Sequence, residues 1–551
     1  MKKINENKKR IIGLLMTIAL IVVTILGGNI KESLATTIEA KEDSNSNVYT
    51  FEYNDKNTAQ DIYNASTSSL TTSKIETLKS QNNYTANNPL VIYNPYRTNN
   101  NSLYVYFKTY KSLSVKYTIH VDDDSIADYT NTLSSNTKKE HEYNLIGLVQ
   151  GQTNIITLSY YNGGGKLINT KTITYDVPSK QGTEETVLSS TSGTSTTELE
   201  NGLYTILGND SDDQDFVYMY DNNGILRCEI PIIGYRAHTI LFDDNYMYYS
   251  ISQTKIAQVN ALGEVTKVFS TGKYELHHDY TFDNDGNLLI LANNTKKTTE
   301  EDCIIKIDIE SGDISEVLDM ESIFSSYVDT CTLDTTSTRD EGEDGLDWIH
   351  INSIEYINGD VILSSRETSS IIKITNLETN PKLDYLISDE SIWEDSDYSD
   401  YVLTKIGDFK INAGQHSVRF SPSDQEGVYY LTFFDNNYGK ANSQPSFDYT
   451  TIGITNQNAF KGDNSYYYVY KVDENNKTFE LVDSMAVTYS GIVSSVQTLD
   501  NGNIVIDSGT AGVFSEYDSN HNLIKSFTMK LNKYMIYRVH KYSFNGFWFN
   551  K

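Results

Sequence analysis

A four-strand repeat fills the C-terminal part of the chain and limits its possible folds more than any other feature. Each copy contains an apolar strand, an Asp/Asn/Gly turn, a second apolar strand and two further strands joined by another turn. One clear copy is HHDYTFDNDGNLLILANN followed by CIIKIDIESGDISEVLDM, at 277–320. Four strands per repeat are typical of one blade of a β-propeller, because a blade buries its apolar faces only against neighbouring blades.

The two ends of the repeat array complement each other. An incomplete unit at 202–230 opens the array, and a lone strand around Met535 to Val539 ends it. Partial units at both ends predict that the ring is closed by strands from both ends of the array. We therefore expect a six-bladed β-propeller over 199–551.

The residues before the array predict a second, smaller β domain. Alternating apolar and polar segments separated by turns run through 67–178 and predict a β-sandwich. Residues 179–198 are rich in Ser, Thr and Gly, which is typical of a linker, and residues 36–66 are polar without periodicity, which indicates a flexible tether. The predicted fold class is all-β, an N-terminal β-sandwich followed by a six-bladed β-propeller.

The first 35 residues are typical of an export signal. Lys2, Lys3, Lys8, Lys9 and Arg10 precede an apolar run from Ile11 to Leu26. The small-residue site at 33–35 predicts cleavage there, and an uncleaved membrane anchor is the alternative. In both cases the rest of the chain is expected outside the cytoplasmic membrane, secreted or at the cell surface, with membrane contact only through this segment.

The charge of the chain argues against a nucleic-acid partner. The formal net charge is −30, and removal of residues 1–35, with six basic and two acidic side chains, leaves −34. Such a surface repels phosphate backbones. Cys228, Cys303 and Cys331 are too widely spaced for a cysteine-based metal site; a Cys303–Cys331 disulfide and buried free thiols both remain possible.

A column of histidines marks the candidate site. The first strand of four consecutive repeats begins with histidine, and a fifth copy has Ser495 there. First strands of propeller blades surround the central channel, so this column predicts a ring of side chains. The histidines are His238, His278, His350 and His416. His277 competes with His278: the distance to the Gly286 turn favours His277, whereas strand parity favours His278, which we adopt.

An arginine joins this column. DWIHINSIEYINGDVILSSR, at 347–366, reads as a strand, an Asn358–Gly359 turn and a second strand. A hairpin returns to the end where it started, so His350 and Arg366 are expected near one another. Several imidazoles could bind a metal, but a fixed guanidinium disfavours a cation and favours an anion. The prediction is therefore an anion site without metal or cofactor.

Five segments of the chain resemble the bacterial arylsulfate sulfotransferases. They are DWIHINS at 347–353, SSRETSSIIKI at 364–374, HHD at 277–279, GQHSVRF at 414–420 and YRVHKY at 537–542. The resemblance implies a small β-sandwich before a six-bladed catalytic propeller. It also implies transfer of a sulfuryl group from an aryl sulfate to a phenol without a nucleotide donor, and a homodimer.

The resemblance further implies roles for individual residues. His416 is expected to be the nucleophile, forming a sulfo-histidine in a ping-pong mechanism, with His278, His350 and Arg366 around the sulfuryl group. Asn352 is expected to help position the anion. Other candidate substrate-binding residues, from the same column, are His277, His238 and Ser495. Unlike some members of the family, this chain has no cysteine near His416.

Two other functions fit the same residues. A non-catalytic surface propeller that binds a sulfated or acidic ligand would use the same cationic column. A metal-dependent hydrolase would use its imidazoles as ligands. Turnover of an aryl sulfate distinguishes a transferase from the non-catalytic propeller. Metal analysis of the purified protein distinguishes a transferase from the metal-dependent hydrolase.

Overall fold

The computed structural model describes residues 36–182, 186–211, 215–332, 345–531 and 533–550. The predicted export segment at 1–35 lies outside the described residues. Within the described ranges, no helix is long and apolar enough to cross a membrane. All three cysteines are free thiols, and Cys228 and Cys303 are buried.

The N-terminal domain is built on one bent sheet in the order β1-β2-β3-β4-β6-β7, with β5 paired to β4. β4 is long enough to pair with β3 through its first half and with β6 through its second half, which joins all these strands into one sheet. The elements are β1 (Ile38–Asp43), β2 (Val48–Tyr53), α1 (Ala59–Ile62), α2 (Ala65–Gln81), β3 (Leu90–Tyr93), β4 (Ser102–Val121), β5 (Tyr129–Ile146), β6 (Thr153–Tyr161) and β7 (Leu167–Asp176).

Residues 36–66 are not a flexible tether, and the prediction for them is wrong. β1 and β2 form an antiparallel hairpin that extends the sheet, with Val48 fully buried. Tyr49 and Phe51 pack against an apolar cluster, which stabilises a segment that is polar at most of its positions. Thr58 caps α1 through a capping box with Asp61, so the helix start also has local support.

The described residues form six four-stranded blades, which confirms the predicted propeller. Blade 1 contains β9 (Leu203–Ile206), β11 (Asp215–Tyr220), β12 (Leu226–Ile232) and β35 (Val539–Tyr542); blade 2 β14 (Ile240–Phe242), β15 (Tyr246–Ser252), β16 (Lys255–Asn260) and β17 (Val265–Ser270); blade 3 β18 (Tyr274–Phe282), β19 (Leu288–Asn294), β20 (Cys303–Ile307) and β21 (Ile314–Asp319); blade 4 β22 (Ile351–Ile357), β23 (Asp360–Ser365), β24 (Ser370–Thr375) and β25 (Lys382–Ile387); blade 5 β27 (His416–Pro422), β28 (Val428–Asp435), β29 (Asn464–Asp473) and β30 (Thr478–Thr488); blade 6 β31 (Ser495–Thr498), β32 (Ile504–Ser508), β33 (Val513–Tyr517) and β34 (Leu523–Lys530).

Short elements complete the propeller domain. They are β8 (Thr186–Ser192), β10 (Gly208–Ser211), β13 (Tyr235–Arg236), β26 (Thr404–Ile406), α3 (Met320–Ile323), α4 (Ser325–Val328), α5 (Glu390–Trp393) and the 3₁₀ turns Ser399–Tyr401, Tyr449–Ile452 and Gly509–Ala511. β10 pairs with β13, and β26 adds a strand to blade 5.

The ring is closed by strands from both ends of the array. β35, from the C-terminal end, pairs with β9, so that Val539 lies opposite Ile206. Part of the predicted linker is also a strand: β8 pairs with β34 at the outer edge of blade 6, with Ser190 opposite Phe527. β8 is almost entirely exposed, and its Ser, Thr and Val residues are compatible with an outer edge strand even though their composition resembles a linker.

Apolar side chains on both faces of each blade hold the blades together. In blade 4, Leu363 and Ile372 pack towards blade 3, whereas Ile362 and Ile371 pack towards blade 5. Successive strand residues point to opposite faces, so a continuous apolar run suits a strand buried on both sides. This packing fixes the inner strands that carry the histidine column.

Candidate active site

The histidine column gathers in the middle of the propeller because the inner strands are irregular there. β18, β22 and β27 each contain a register shift, at 276–280, 351–353 and 416–419. The backbone is left-handed at His278 (φ +52°), His350 (φ +50°) and Ser417 (φ +60°). Such bulges re-aim side chains, and left-handed non-glycine residues are strained conformations that cluster at functional sites.

Three of the predicted histidines and Arg366 come together there. His278 Nε2 and His350 Nε2 lie 2.9 Å apart, and the ring centroids of His278 and His416 are 6.0 Å apart. Arg366 is joined to His350 by the hydrogen bond that its backbone N–H donates to the His350 carbonyl (3.1 Å). All three imidazoles are buried, so their interactions are little screened by water.

His416 is held in one tautomer. Its Nδ1 lies 3.0 Å from the Gly414 carbonyl and 2.8 Å from Asn436 Oδ1, and both are acceptors. The Asn436 amide cannot turn over without losing the hydrogen bonds that its Nδ2 donates to the Ser490 and Val493 carbonyls (2.8 and 3.0 Å). The proton of neutral His416 is therefore on Nδ1, and Nε2 carries the lone pair.

The Nε2 atom of His416 is available for chemistry. It makes no hydrogen bond with any residue that the structure describes. Burial lowers the pKa of His416 to about 3, and the charges of His350 and Arg366 act in the same direction, so the ring is neutral near pH 7. A neutral imidazole with an unshared lone pair is a nucleophile.

His350 is in the opposite state. Its Nδ1 lies 2.8 Å from Asp347 Oδ2 and 2.5 Å from Glu301 Oε2. Burial and the charge of Arg366 lower the pKa of His350, but the two carboxylates outweigh them and raise it to about 9. At neutral pH this ring is an imidazolium, with a proton on both nitrogens.

His278 accepts one of these protons in a hydrogen bond. Burial holds the pKa of His278 well below its usual value, so its ring is neutral. His350 Nε2–H donates to His278 Nε2, and His278 Nδ1–H donates to the Tyr537 oxygen at 3.2 Å. Tyr537 in turn donates to the His278 carbonyl at 2.5 Å. The donors therefore run in one direction, from His350 to His278 and from His278 to Tyr537. This order agrees with a cationic His350 and a neutral His278.

Carboxylates hold Arg366 in place. Its Nη2 donates to Asp347 Oδ2 (2.9 Å) and to Glu367 Oε1 (2.8 Å). Glu367 is anchored on its other oxygen by the backbone N–H groups of Asn442 (2.6 Å) and Ser443 (3.1 Å). The Nη1 atom of Arg366 makes no hydrogen bond within the described ranges and is left to bind an anion.

Positive and negative charges are nearly balanced in the cluster. Two cations, His350 and Arg366, face the three carboxylates of Asp347, Glu301 and Glu367. A general positive potential is therefore not what attracts an anion here. The attraction comes from directed N–H groups, whose geometry the carboxylates fix.

The remaining predicted residues mainly support this arrangement. Asn352 donates to the Gln415 carbonyl (2.9 Å) and so positions the backbone before His416. The Ser495 hydroxyl bonds both the carbonyl and the N–H of Val539, which joins blades 6 and 1, and its substrate-binding role stays a prediction. His238 is fully buried with its ring edge-on to Tyr280 and Tyr537. His277 lies beside His278, with ring centroids 5.5 Å apart.

Five residues of the site were not among the predicted ones. Asp347, Glu367 and Tyr537 stand inside segments that carried the family resemblance, so their positions were accessible to sequence reasoning. Asn436 follows the second strand of the His416 hairpin, and only the register of that hairpin indicates it. Glu301 lies in a connection between β19 and β20, and no pattern in the sequence marks it.

Comparison with known proteins gives two matching family models. One, described as arylsulfotransferase (ASST), matches residues 189–541, and the other, described as the arylsulfotransferase Ig-like domain, matches residues 90–178. No curated protein matches the chain at a significant level.

Among solved structures, a protein from Lactobacillus plantarum is 9% identical with a TM-score of 0.34, over 78% of this chain and 99% of that one. Virginiamycin B lyase from Staphylococcus aureus is 10% identical with a TM-score of 0.28, over 76% and 99%. Similarity at this level carries no argument about function.

Proposed function

The chain belongs to the arylsulfotransferase family and is a sulfotransferase, and we propose that it transfers the sulfuryl group from an aryl sulfate to a phenol through a sulfo-histidine at His416. One observation carries this proposal. His416 has its proton fixed on Nδ1 by Asn436 and Gly414, which leaves the Nε2 lone pair free in the site that also holds His350 and Arg366.

In the first step, His416 Nε2 attacks the sulfur atom of the donor. The new N–S bond forms as the bond between sulfur and the aryl oxygen breaks, and the bonding electrons leave with the aryl oxygen. A phenolate has a free pKa of about 10, so a proton donor assists its departure. The His350 imidazolium supplies this proton from Nε2 when the donor oxygen replaces His278 as its partner.

In the second step, an acceptor phenol takes the place of the product. His350, now neutral, accepts the phenol proton, and the phenol oxygen attacks the sulfur as the N–S bond breaks. His416 returns to its neutral form. Because one phenol leaves before the other binds, the kinetics are ping-pong.

The three sulfuryl oxygens need donors in both steps. Sulfuryl transfer resembles phosphoryl transfer in that positioning and cationic donors do most of the work. The free Nη1 of Arg366 supplies donors in both steps, and the charge of the adjacent His350 imidazolium adds to them in the first step. Incubation with a chromogenic aryl sulfate, with and without phenol, tests the proposal: acceptor-dependent formation of a new aryl sulfate supports it, whereas hydrolysis alone or binding alone contradicts it.

Arg366→Lys is expected to lower kcat/KM at least tenfold, equivalent to about 1.4 kcal/mol of transition-state stabilisation. Lysine keeps the charge but lacks the planar fork that bonds Asp347 and Glu367 through one edge while presenting Nη1 to the substrate. Steady-state kinetics with a saturating acceptor give the measurement. Arg97→Lys, on the N-terminal domain, is the matched control, and wild-type kinetics in Arg366→Lys would remove Arg366 from the mechanism.

The first half-reaction is expected to slow as the pH rises through about 9. Donor cleavage requires neutral His416, whose pKa is about 3, and protonated His350, whose pKa is about 9, so the active window lies between these values. Glu301→Gln removes an anion that raises the pKa of His350, and it should move the upper limb to lower pH. If the upper limb of the kcat/KM profile lies at the same pH in Glu301→Gln as in the parent, the assignment of that limb to His350 is contradicted.

Export of the chain is the second part of the proposal. It rests on the basic residues before the apolar run at 11–26 and on the small-residue site at 33–35. Expression with the complete N-terminus should deliver activity outside the cytoplasm, and mass analysis of that material tells cleavage from anchoring. Full-length, soluble protein in the cytoplasm would contradict this part without affecting the chemistry.

A further inference from the structure

We propose that His277, His278 and Glu301 form a binding site for a divalent transition metal, best matched by Zn²⁺, and that its occupation reversibly inhibits the enzyme. The metal plays no part in sulfuryl transfer. The binding half of this proposal is independent of the proposed function, whereas the inhibition rests on it.

The geometry of the bulge in β18 creates the site. Neighbouring residues of a regular strand point to opposite faces, which is why parity allowed only one of His277 and His278 to face the centre. The left-handed backbone at His278 (φ +52°) and the register shift at 276–280 break this alternation. Both imidazoles thereby approach Glu301, and one ligand atom from each of the three residues lies within 4.8 Å of the other two.

His277 has a lone pair that the fold does not use. Its side chain is only 3% exposed, yet neither ring nitrogen has a hydrogen-bond partner. Buried polar groups are almost always bonded, so an unpartnered imidazole beside a carboxylate points to a missing ligand.

The donor set matches zinc. Two imidazole nitrogens and one carboxylate oxygen are three protein ligands, which leave one position of a tetrahedral ion open. Glu301 Oε2 already lies 3.5 Å from His278 Nε2. With bonds of about 2.0–2.1 Å, ligand atoms around such an ion lie roughly 3.3 Å apart, so small side-chain rotations close the site.

The other two groups among the described residues that could hold a metal ion already hold a positive side chain. In the cluster of Glu301, Asp347 and His350, the imidazole carries protons and Asp347 also bonds Arg366. In the cluster of Asp302, Asp319 and Glu321, the Lys297 ammonium lies 2.6 Å from Asp319 and 2.8 Å from Glu321. The site with His277 shares Glu301 with the first of these clusters, because Glu301 Oε2 also lies 2.5 Å from His350 Nδ1, but its two imidazoles hold no such group.

Metal binding would disable the site through His278. A metal at Nε2 uses the lone pair that now accepts the His350 proton. Inhibition should therefore be reversed by a chelator.

Co²⁺ is the probe for the test. Four-coordinate Co²⁺ absorbs visible light, so its binding is measured without any enzyme activity. The protein is titrated with Co²⁺ and then with Zn²⁺, and donor cleavage is assayed separately with Zn²⁺ and with chelator. The variants are His277→Asn, Glu301→Gln and the control His120→Asn. His120 is an exposed histidine paired with Asp128, so it represents adventitious surface binding.

One Co²⁺ per chain with a four-coordinate spectrum, displaced by Zn²⁺, is expected for the parent and for His120→Asn. His277→Asn and Glu301→Gln should weaken binding at least tenfold, and His277→Asn should weaken Zn²⁺ inhibition by the same factor. Thermal melting identifies a variant that does not fold, and in that case the other variant decides. If neither folds, competition between Co²⁺ and an aryl sulfate on the parent protein decides.

No Co²⁺ spectrum in the parent, or binding that survives in His277→Asn and is lost in His120→Asn, would overturn the site. Binding without inhibition of an active enzyme would overturn only the regulatory half. Inactivity of the parent in the absence of metal would instead count against the proposed function. The failures of the two proposals are therefore distinguishable.

Discussion

His416→Asn is expected to abolish even the first release of phenol from the donor. Asparagine can keep a polar contact with Asn436 but has no nitrogen lone pair that can attack sulfur. We expect a loss on the order of 10⁴-fold or more in the first half-reaction, about 5 kcal/mol in activation free energy. Rapid mixing with a chromogenic donor in the absence of acceptor measures it directly.

His521→Asn is the control for this substitution. His521 lies on blade 6, where its Nε2 is 3.0 Å from Asp483, outside the histidine cluster. It should retain the parent burst. A full burst in His416→Asn would mean that another residue receives the sulfuryl group or that water and phenol attack the donor directly.

His350→Asn is expected to slow both half-reactions, each by on the order of 100-fold or more. The substitution removes the proton donor of the first step and the proton acceptor of the second, together with a cation beside the sulfuryl oxygens. The pH limb near 9 should disappear with it, because that limb is the titration of His350. A purely structural role would lower the rate without removing the limb.

Donors that carry different leaving groups sharpen this test. An aryl sulfate whose phenol is already acidic needs little proton donation, so the loss in His350→Asn should shrink as the leaving-group pKa falls. The parent protein, measured with the same donors, provides the reference. An equal loss with all donors would assign His350 to charge stabilisation alone.

The propeller was predictable because its signals are local and repeated. Period-two strands and Asp/Asn/Gly turns recur in every blade, and the partial units at both ends indicated the closure that pairs β35 with β9. The N-terminal residues 36–66 lack such repetition. Their hairpin depends on a few apolar residues such as Val48 and Phe51 packing on a neighbouring sheet, which is a tertiary effect.

The site was predictable only in part. His278, His350 and His416 recur at one position of a repeated unit, and Arg366 closes the hairpin that His350 opens. Strand parity could not decide between His277 and His278. The bulge interrupts the alternation of side chains between the two faces and brings both residues to Glu301. Glu301 comes from a connection between strands, so only the closed ring shows that it reaches His350.

Detection of the covalent intermediate is the most direct test of the account. Protein mixed with an aryl sulfate donor, without acceptor, and quenched under conditions that preserve a sulfamate-like N–S bond should gain about 80 Da, the mass of SO₃, on the peptide that contains His416. Addition of a phenol before quenching should remove this label. A label on the peptide of His278 or His350 would contradict the assignment of the nucleophile, and the absence of any label with kinetics that require both substrates together would contradict the covalent mechanism.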